Sequence, residues 1–235
     1  MFFIACLVLG SVVGMTAIYF AIRAPTLGSI VGVFLASFPI LMSIVFYTTF
    51  KESKPPLGDI QVKVGDAIMP ITAVYGDGET FRLDDLQGQR ILLKFFRGAW
   101  CPYCSMELKM FEDMKPIFER FDVKIVALSN DAPMAALKHQ QRDQLTHLLL
   151  SDPELKVIKQ YGVEHHKALG GDGASSLTLF GLPFPTKMKY KPMAIPTSIL
   201  IDEKGIVRWI DQAEDVRLRA SEEKLTAALK DAFTD

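Results

Sequence analysis

The chain has 235 residues, with 26 Lys and Arg against 27 Asp and Glu. That is one or two domains' worth of chain, and a balance so close to neutral leaves no electrostatic footprint for nucleic acid. Its 3 cysteines exclude a disulfide-stapled scaffold, and apolar periodic segments along the polar part exclude a disordered chain.

The charges are unevenly spread. Residues 1–50 carry one charged side chain, Arg23, whereas 52 of the other 185 residues are charged. Met1–Ile22 and Thr26–Phe50 are uncharged runs. Each is long enough to cross a hydrocarbon core of about 30 Å at about 1.5 Å per residue. Only Arg23-Ala24-Pro25 separates them, which predicts a two-span membrane hairpin over residues 1–50, its second helix kinked at Pro39. A cleaved signal peptide fits less well, because there is no basic first segment and a second apolar run follows at once. Gly10 with Gly14, and Gly28 with Gly32, would let the two helices approach closely. Cys6 reads as a small apolar residue of the first span. Lys51 and Lys54 outnumber Arg23, so the positive-inside rule leans to a cytoplasmic soluble domain.

Residues 51–63 open with KESKPPLG and read as a linker; residues 64–235 read as one α/β domain. Ile71–Tyr75, the turn Gly76-Asp77-Gly78 and Thr80–Leu83 predict a hairpin. The apolar run Ile91–Phe96 predicts a buried central strand. A helix is expected from near Cys101-Pro102 to about Arg120, shortened or kinked at Pro116. Val123–Ser129 is a second apolar strand. A helix over Ala132–Gln144 and a short strand at Leu148–Leu150 follow. Asp152-Pro153 predicts an N-cap with proline at the first helical position, opening a helix to Tyr161. Gly162–Ile195 is irregular and rich in Gly, Pro and Lys, long enough to shape a substrate groove. Ser198–Asp202 and Ile206–Ile210 are strands around Glu203-Lys204-Gly205, and Ser221 opens a last amphipathic helix. Strands alternating with helices imply a mixed sheet flanked by helices.

The chemistry concentrates in Trp100-Cys101-Pro102-Tyr103-Cys104, where a strand hands over to a helix. Unpaired N–H groups and the dipole at a helix start favour a thiolate. Two intervening residues bring both sulfurs to the first turn, so that one can attack a substrate and the other resolve the mixed disulfide. Pro102 costs no hydrogen bond there and fixes the backbone. Trp100 is expected beside the pair and Tyr103 exposed between its members. Two buried structural cysteines, or a zinc site completed by His165 and His166, are the competing readings. Met106, Met110 and Met114 form a helical stripe that reads as core. Lys187, Lys189 and Lys191 around Tyr190 read as a solvated loop, and His139 and His147 as surface or core fillers.

Several segments together carry a resemblance. They are Val64-Gly65-Asp66, Leu83–Gly88, Phe95–Cys104, Ala127–Asp131, Ser151-Asp152-Pro153 and Ile195–Asp202. From about Val64 to Asp211 the chain resembles the thioredoxin-fold alkyl hydroperoxide reductase/thiol-specific antioxidant (peroxiredoxin-like, redoxin) family. The resemblance implies a thioredoxin-like fold and a thiol-dependent oxidoreductase without cofactor or metal. Its partners would be a thiol reductant and a disulfide or hydroperoxide. The family's Pro-x-x-x-Thr-x-x-Cys pattern is followed by a Glu three residues on. Aligned on Glu107, it places Cys104 at the peroxidatic position, Cys101 at the Thr and Arg97 at the Pro. The family's later arginine falls near Pro196, which instead looks like the cis-proline of thioredoxin-type oxidoreductases. Arg97 is a candidate replacement for that arginine. These departures favour a membrane-anchored thiol–disulfide oxidoreductase that cycles through a Cys101–Cys104 disulfide, with Cys101 attacking. The alternatives are a thiol peroxidase with Cys104 attacking, and a non-catalytic membrane-tethered redox sensor or binding module.

Overall fold

The computed structural model describes residues 2–23, 33, 37–38, 40–44, 47, 54–57, 60–172 and 176–234. It divides into two units, Met1–Lys54 and Pro55–Asp235.

The first unit contains α1 (Phe2–Arg23), a helix of 22 residues. Ser11 Oγ of this helix lies 2.9 Å from Ser43 Oγ of the same unit. The Thr16 hydroxyl donates back to the carbonyls of Val12 and Val13. The expected two-span hairpin is not supported. Among the described residues no helix is long and apolar enough to cross a membrane. The expectations at Gly28, Gly32, Pro39, Lys51 and the Cys6 side chain lie outside the described residues.

The second unit is built on β3 (Arg90–Phe95), whose continuous apolar run is explained by cover on both faces. β4 (Val123–Ser129) pairs parallel to β3, and β5 (Leu148–Ser151) parallel to β4. On the other side β10 (Thr197–Ile201) runs antiparallel to β3, and β11 (Val207–Gln212) antiparallel to β10. The hairpin of β1 (Thr72–Val74) and β2 (Thr80–Arg82) joins beyond β5. The result is a seven-stranded mixed sheet of order β11-β10-β3-β4-β5-β1-β2.

Strand alternation divides the interior in two. Ile91, Leu93 and Phe95 face a core with Val126, Leu128, Tyr161 and Ile199. Leu92 and Phe96 face another, with Cys101, Cys104, Leu108, Phe111 and Leu229. That second core holds α2 (Pro102–Asp113), α3 (Lys115–Arg120) and α6 (Glu222–Phe233). The expected break falls at Met114, which ends α2 and starts α3, with Pro116 in the new helix's first turn, where its missing N–H costs nothing. Ser221 caps α6, its Oγ accepting from the Lys224 N–H. The Met stripe is split rather than core: Met106 is exposed and Met114 buried.

Three segments differ from expectation. Val62 is buried in the core and the Gln61 N–H donates to the Tyr161 carbonyl, so the domain begins inside the segment read as linker. Asp152 is not an N-cap. It precedes a turn, and its carboxylate accepts from the N–H groups of Lys156 and Ile158 in α5 (Lys156–Gln160), capping that helix from further back. The described part of 162–195 is largely strand. β6 (Glu164–Gly171) pairs antiparallel with β9 (Met188–Ala194), and β7 (Ser176–Leu179) with β8 (Leu182–Pro185). Lys189 and Lys191 therefore lie on a strand. Composition misled here because Gly170 and Gly171 are packing residues. A Cβ at Gly171 would meet Pro185 Cβ at 2.3 Å and Trp100 Cβ at 3.1 Å.

Candidate active site

The polypeptide leaves β3 through Phe96-Arg97-Gly98-Ala99-Trp100. Gly98 adopts φ 142°, and a Cβ there would meet Trp100 Nε1 at 2.8 Å and Asp131 Oδ1 at 2.9 Å. Only glycine lets the backbone pass so close to Asp131. Ala99 N–H then donates to Asp131 Oδ2 at 2.6 Å. Cys101 is the N-cap of α2 with extended backbone and Pro102 follows at the first helical position. The Cys101 carbonyl accepts from the N–H groups of Cys104 and Ser105, so both sulfurs lie in one turn.

Both cysteines are reduced and buried, Cys101 at 1% and Cys104 at 0% exposure. Their ionisation is divided unequally. Burial pushes the Cys101 thiol well above its ordinary value, and the bond it donates to Cys104 adds to that. Burial opposes ionisation of Cys104 too, but three groups outweigh it: the Cys101 thiol, the Arg219 guanidinium and the main-chain N–H of Arg97. Together they bring Cys104 down to about 5. The surroundings thus favour the thiolate at Cys104 and the protonated thiol at Cys101.

Arg219 was not foreseen. It lies between β11 and α6, and its Nη2 donates to Cys104 Sγ at 3.4 Å while Nε donates to Glu107 Oε2 at 2.6 Å. No spacing relates residue 219 to residue 104, so only the fold brings them together. Glu107 is buried one turn beyond Cys104, and its other oxygen accepts from Lys94 Nζ at 2.6 Å. Arg97 does not supply the missing guanidinium. Its side chain turns to the Leu169 carbonyl at 2.8 Å and Met193 Sδ at 3.2 Å, and stacks 5.0 Å over Trp100. Its contribution to Cys104 comes from its backbone.

Pro196 corrects another expectation. Among the described residues no peptide bond is cis, so Pro196 is not a cis-proline; its carbonyl accepts from Ala213 N–H at the sheet edge. Trp100 packs beside the pair as expected, under Gly170 and Gly171 of β6. Tyr103 is exposed at 41%. His166 contacts Glu164 on β6, and the residues bearing most on the thiols are Arg97, Arg219 and Glu107. His139 and His147 are buried and paired with Asp143 and Glu112.

The profile of the AhpC/TSA family matches residues 64–210. The chain belongs to that family. The AhpC/TSA domain is similar to the Escherichia coli (strain K12) protein named Peroxiredoxin Bcp, at 30% identity over 110 residues, 47% of this chain and 70% of that one. It is 31% identical over 115 residues to Peroxiredoxin bcp1 of Schizosaccharomyces pombe, 48% of this chain and 59% of that one. Among solved structures, Peroxidoxin BcpB from Mycobacterium tuberculosis superposes with TM-score 0.55 at 23% identity, covering 72% of this chain and 97% of its own. That likeness shows the thioredoxin-like fold with its mixed central sheet. An AhpC/TSA domain with these relatives is a thiol-dependent enzyme, an oxidoreductase or peroxidase.

Proposed function

We propose that the domain reduces hydroperoxides, with Cys104 as the attacking thiolate and Cys101 as the resolving thiol. The observation that carries this reading is the Cys104 thiolate held under Arg219 beside a protonated Cys101. The thiolate sulfur attacks the terminal peroxide oxygen and the O–O bond breaks. The leaving alkoxide takes a proton, and Cys104 becomes a sulfenic acid. Arg219 is placed to stabilise the negative charge that passes from sulfur to oxygen. Cys101 then attacks the Cys104 sulfur, hydroxide leaves with the Cys101 proton as water, and a Cys101–Cys104 disulfide forms. An external thiol reductant returns two electrons and closes the cycle. Attack by Cys101 on a disulfide is the less favoured reading, because that thiol is held protonated. A membrane tether for this domain is supported by composition alone, one charged side chain in residues 1–50.

Hydroperoxide and disulfide turnover measured side by side on the purified protein test the reading. Hydroperoxide should be consumed. Cys104→Ser should abolish consumption, and Cys101→Ser should consume one equivalent and hold a sulfenic acid. Sulfenic-acid labelling at Cys101 in Cys104→Ser, with none in Cys101→Ser, would overturn the assignment. Disulfide turnover with no peroxide turnover would give the other reading.

A further inference from the structure

Lys94 is 2% exposed in the middle of the central strand, on the face it shares with Leu92 and Phe96. A buried ammonium is costly unless it is paired. Its neighbours across the sheet are small, Ala127 on β4 and Ser198 on β10, which leaves room for the lysine stem. Nζ donates to Ser198 Oγ at 3.0 Å and to Glu107 Oε1 at 2.6 Å. Glu107 accepts from Arg219 through its other oxygen, and Arg219 reaches Cys104 Sγ. Four charges of alternating sign therefore run from the sheet to the sulfur: Lys94, Glu107, Arg219 and the Cys104 thiolate.

We infer that Lys94 is a positioning residue for the reaction, its ammonium neutralising Glu107 so that Arg219 stays committed, in charge and in orientation, to the sulfur of Cys104. This rests on the reading of Cys104 as the attacking thiolate and deepens it. Without Lys94, Glu107 would compete with the thiolate for a single guanidinium in a buried site, where like charges repel strongly. With Lys94 the quartet is neutral and Glu107 acts as a bracket for Arg219. The groups that face Cys104 are Cys101 on its own helix, Arg97 from the loop after β3, Arg219 from the segment before α6, and Glu107. Those that face Lys94 are Glu107, Arg219 and Cys104, with Ser198 as a neutral acceptor. Burial, and less strongly the Arg219 charge, lower the Lys94 ammonium below its ordinary value while Glu107 and Cys104 raise it, so its charge depends on this pairing.

The test is a pH titration of thiolate absorbance on wild type, Lys94→Met and Lys94→Met/Glu107→Gln, with hydroperoxide turnover across the same pH range. Lys94→Met should raise the Cys104 midpoint by about 1–3 units, and its turnover should fall at neutral pH and recover as pH rises. The double variant removes both charges and should return the midpoint to the wild-type value or below. A lysine that only packs would change melting temperature and leave the midpoint unmoved, which would overturn the inference. So would a double variant that titrates as high as Lys94→Met. Should Lys94→Met not fold, the 15N shift of Lys94 Nζ in the wild type decides: an ammonium at pH 7 is expected, and a neutral amine sinks the inference. A wild-type Cys104 midpoint at the ordinary thiol value would instead sink the reading of Cys104 itself, so the two failures are distinguishable.

Discussion

At the scale of single residues, two cysteines in one helical turn have been driven apart in acidity by what surrounds them. The surroundings of the sulfur that reaches Arg219 and the Arg97 N–H favour its thiolate, and those of the sulfur at the N-cap favour its protonated form. Thiolate absorbance of the reduced protein should therefore titrate with a midpoint near 5, and Cys104→Ser should remove that step. The sign for stability follows. The folded value lies below the unfolded one of about 8.5, so the stabilisation is full above the unfolded value. It is lost as pH falls towards 5. Cys104→Ser should flatten the dependence of melting temperature on pH between those limits, and an unchanged slope would count against a buried thiolate. Arg219→Met should raise the midpoint and slow hydroperoxide consumption by about 10²–10³, with folding checked by circular dichroism.

At the scale of elements, the start of α2 is tied down by α4 (Pro133–Asp143). Arg142 donates to the Ala99 carbonyl at 2.9 Å and to Ser105 Oγ at 2.7 Å, and so straddles the Cys101–Cys104 turn. Asp143 holds that guanidinium and also contacts His139 and Lys109. Burial opposes the Asp143 charge, but Arg142, His139 and Ser105 keep its carboxyl well below the usual carboxylate range. With both sulfurs buried, a reagent reaches them only through a local opening, for which the turn that Arg142 straddles is the candidate segment. Alkylation of Cys104 should thus be slower than its thiolate content allows, and Arg142→Ala should speed it several-fold without a large change in the titration midpoint. No acceleration would place the barrier elsewhere. On the opposite side of Trp100, Gly171→Ala would drive a methyl into Pro185. It should destabilise the domain by about 1–3 kcal/mol, read as a lower melting temperature.

At the scale of the whole domain, the sheet separates two cores that serve different ends. One carries the cysteines and α2, while the other closes the sheet under the β1–β2 hairpin and α5. Tyr161 belongs to the second, fully buried, its hydroxyl donating to the Met69 carbonyl at 2.7 Å. Tyr161→Phe should cost about 1 kcal/mol and leave the Cys104 titration unmoved. Phe111→Ala, on the α2 side, should cost about 3–5 kcal/mol and also loosen the site, seen as faster alkylation of Cys104. Equal effects of the two variants on Cys104 would show that the sheet does not insulate the site.

What the sequence determined by itself was local. The short, largely apolar runs at 91–96 and 123–129 pointed to strands covered on both faces. Pro116 marked a break in the helical pattern, which falls at Met114 with the proline in the first turn of α3, and Ser221 marked the start of α6 because its side chain supplies an acceptor. The Cys-x-x-Cys at a strand-to-helix junction placed both sulfurs in one turn. What the tertiary structure alone decided was long-range. Arg219 meets Cys104 across 115 positions, Lys94 meets Glu107 between strand and helix, and Gly170 and Gly171 of β6 come to lie against Trp100. The unequal acidity of the two thiols belongs partly to each group: Cys101 lies three residues from Cys104 in the chain, whereas Arg219 reaches that sulfur only through the fold.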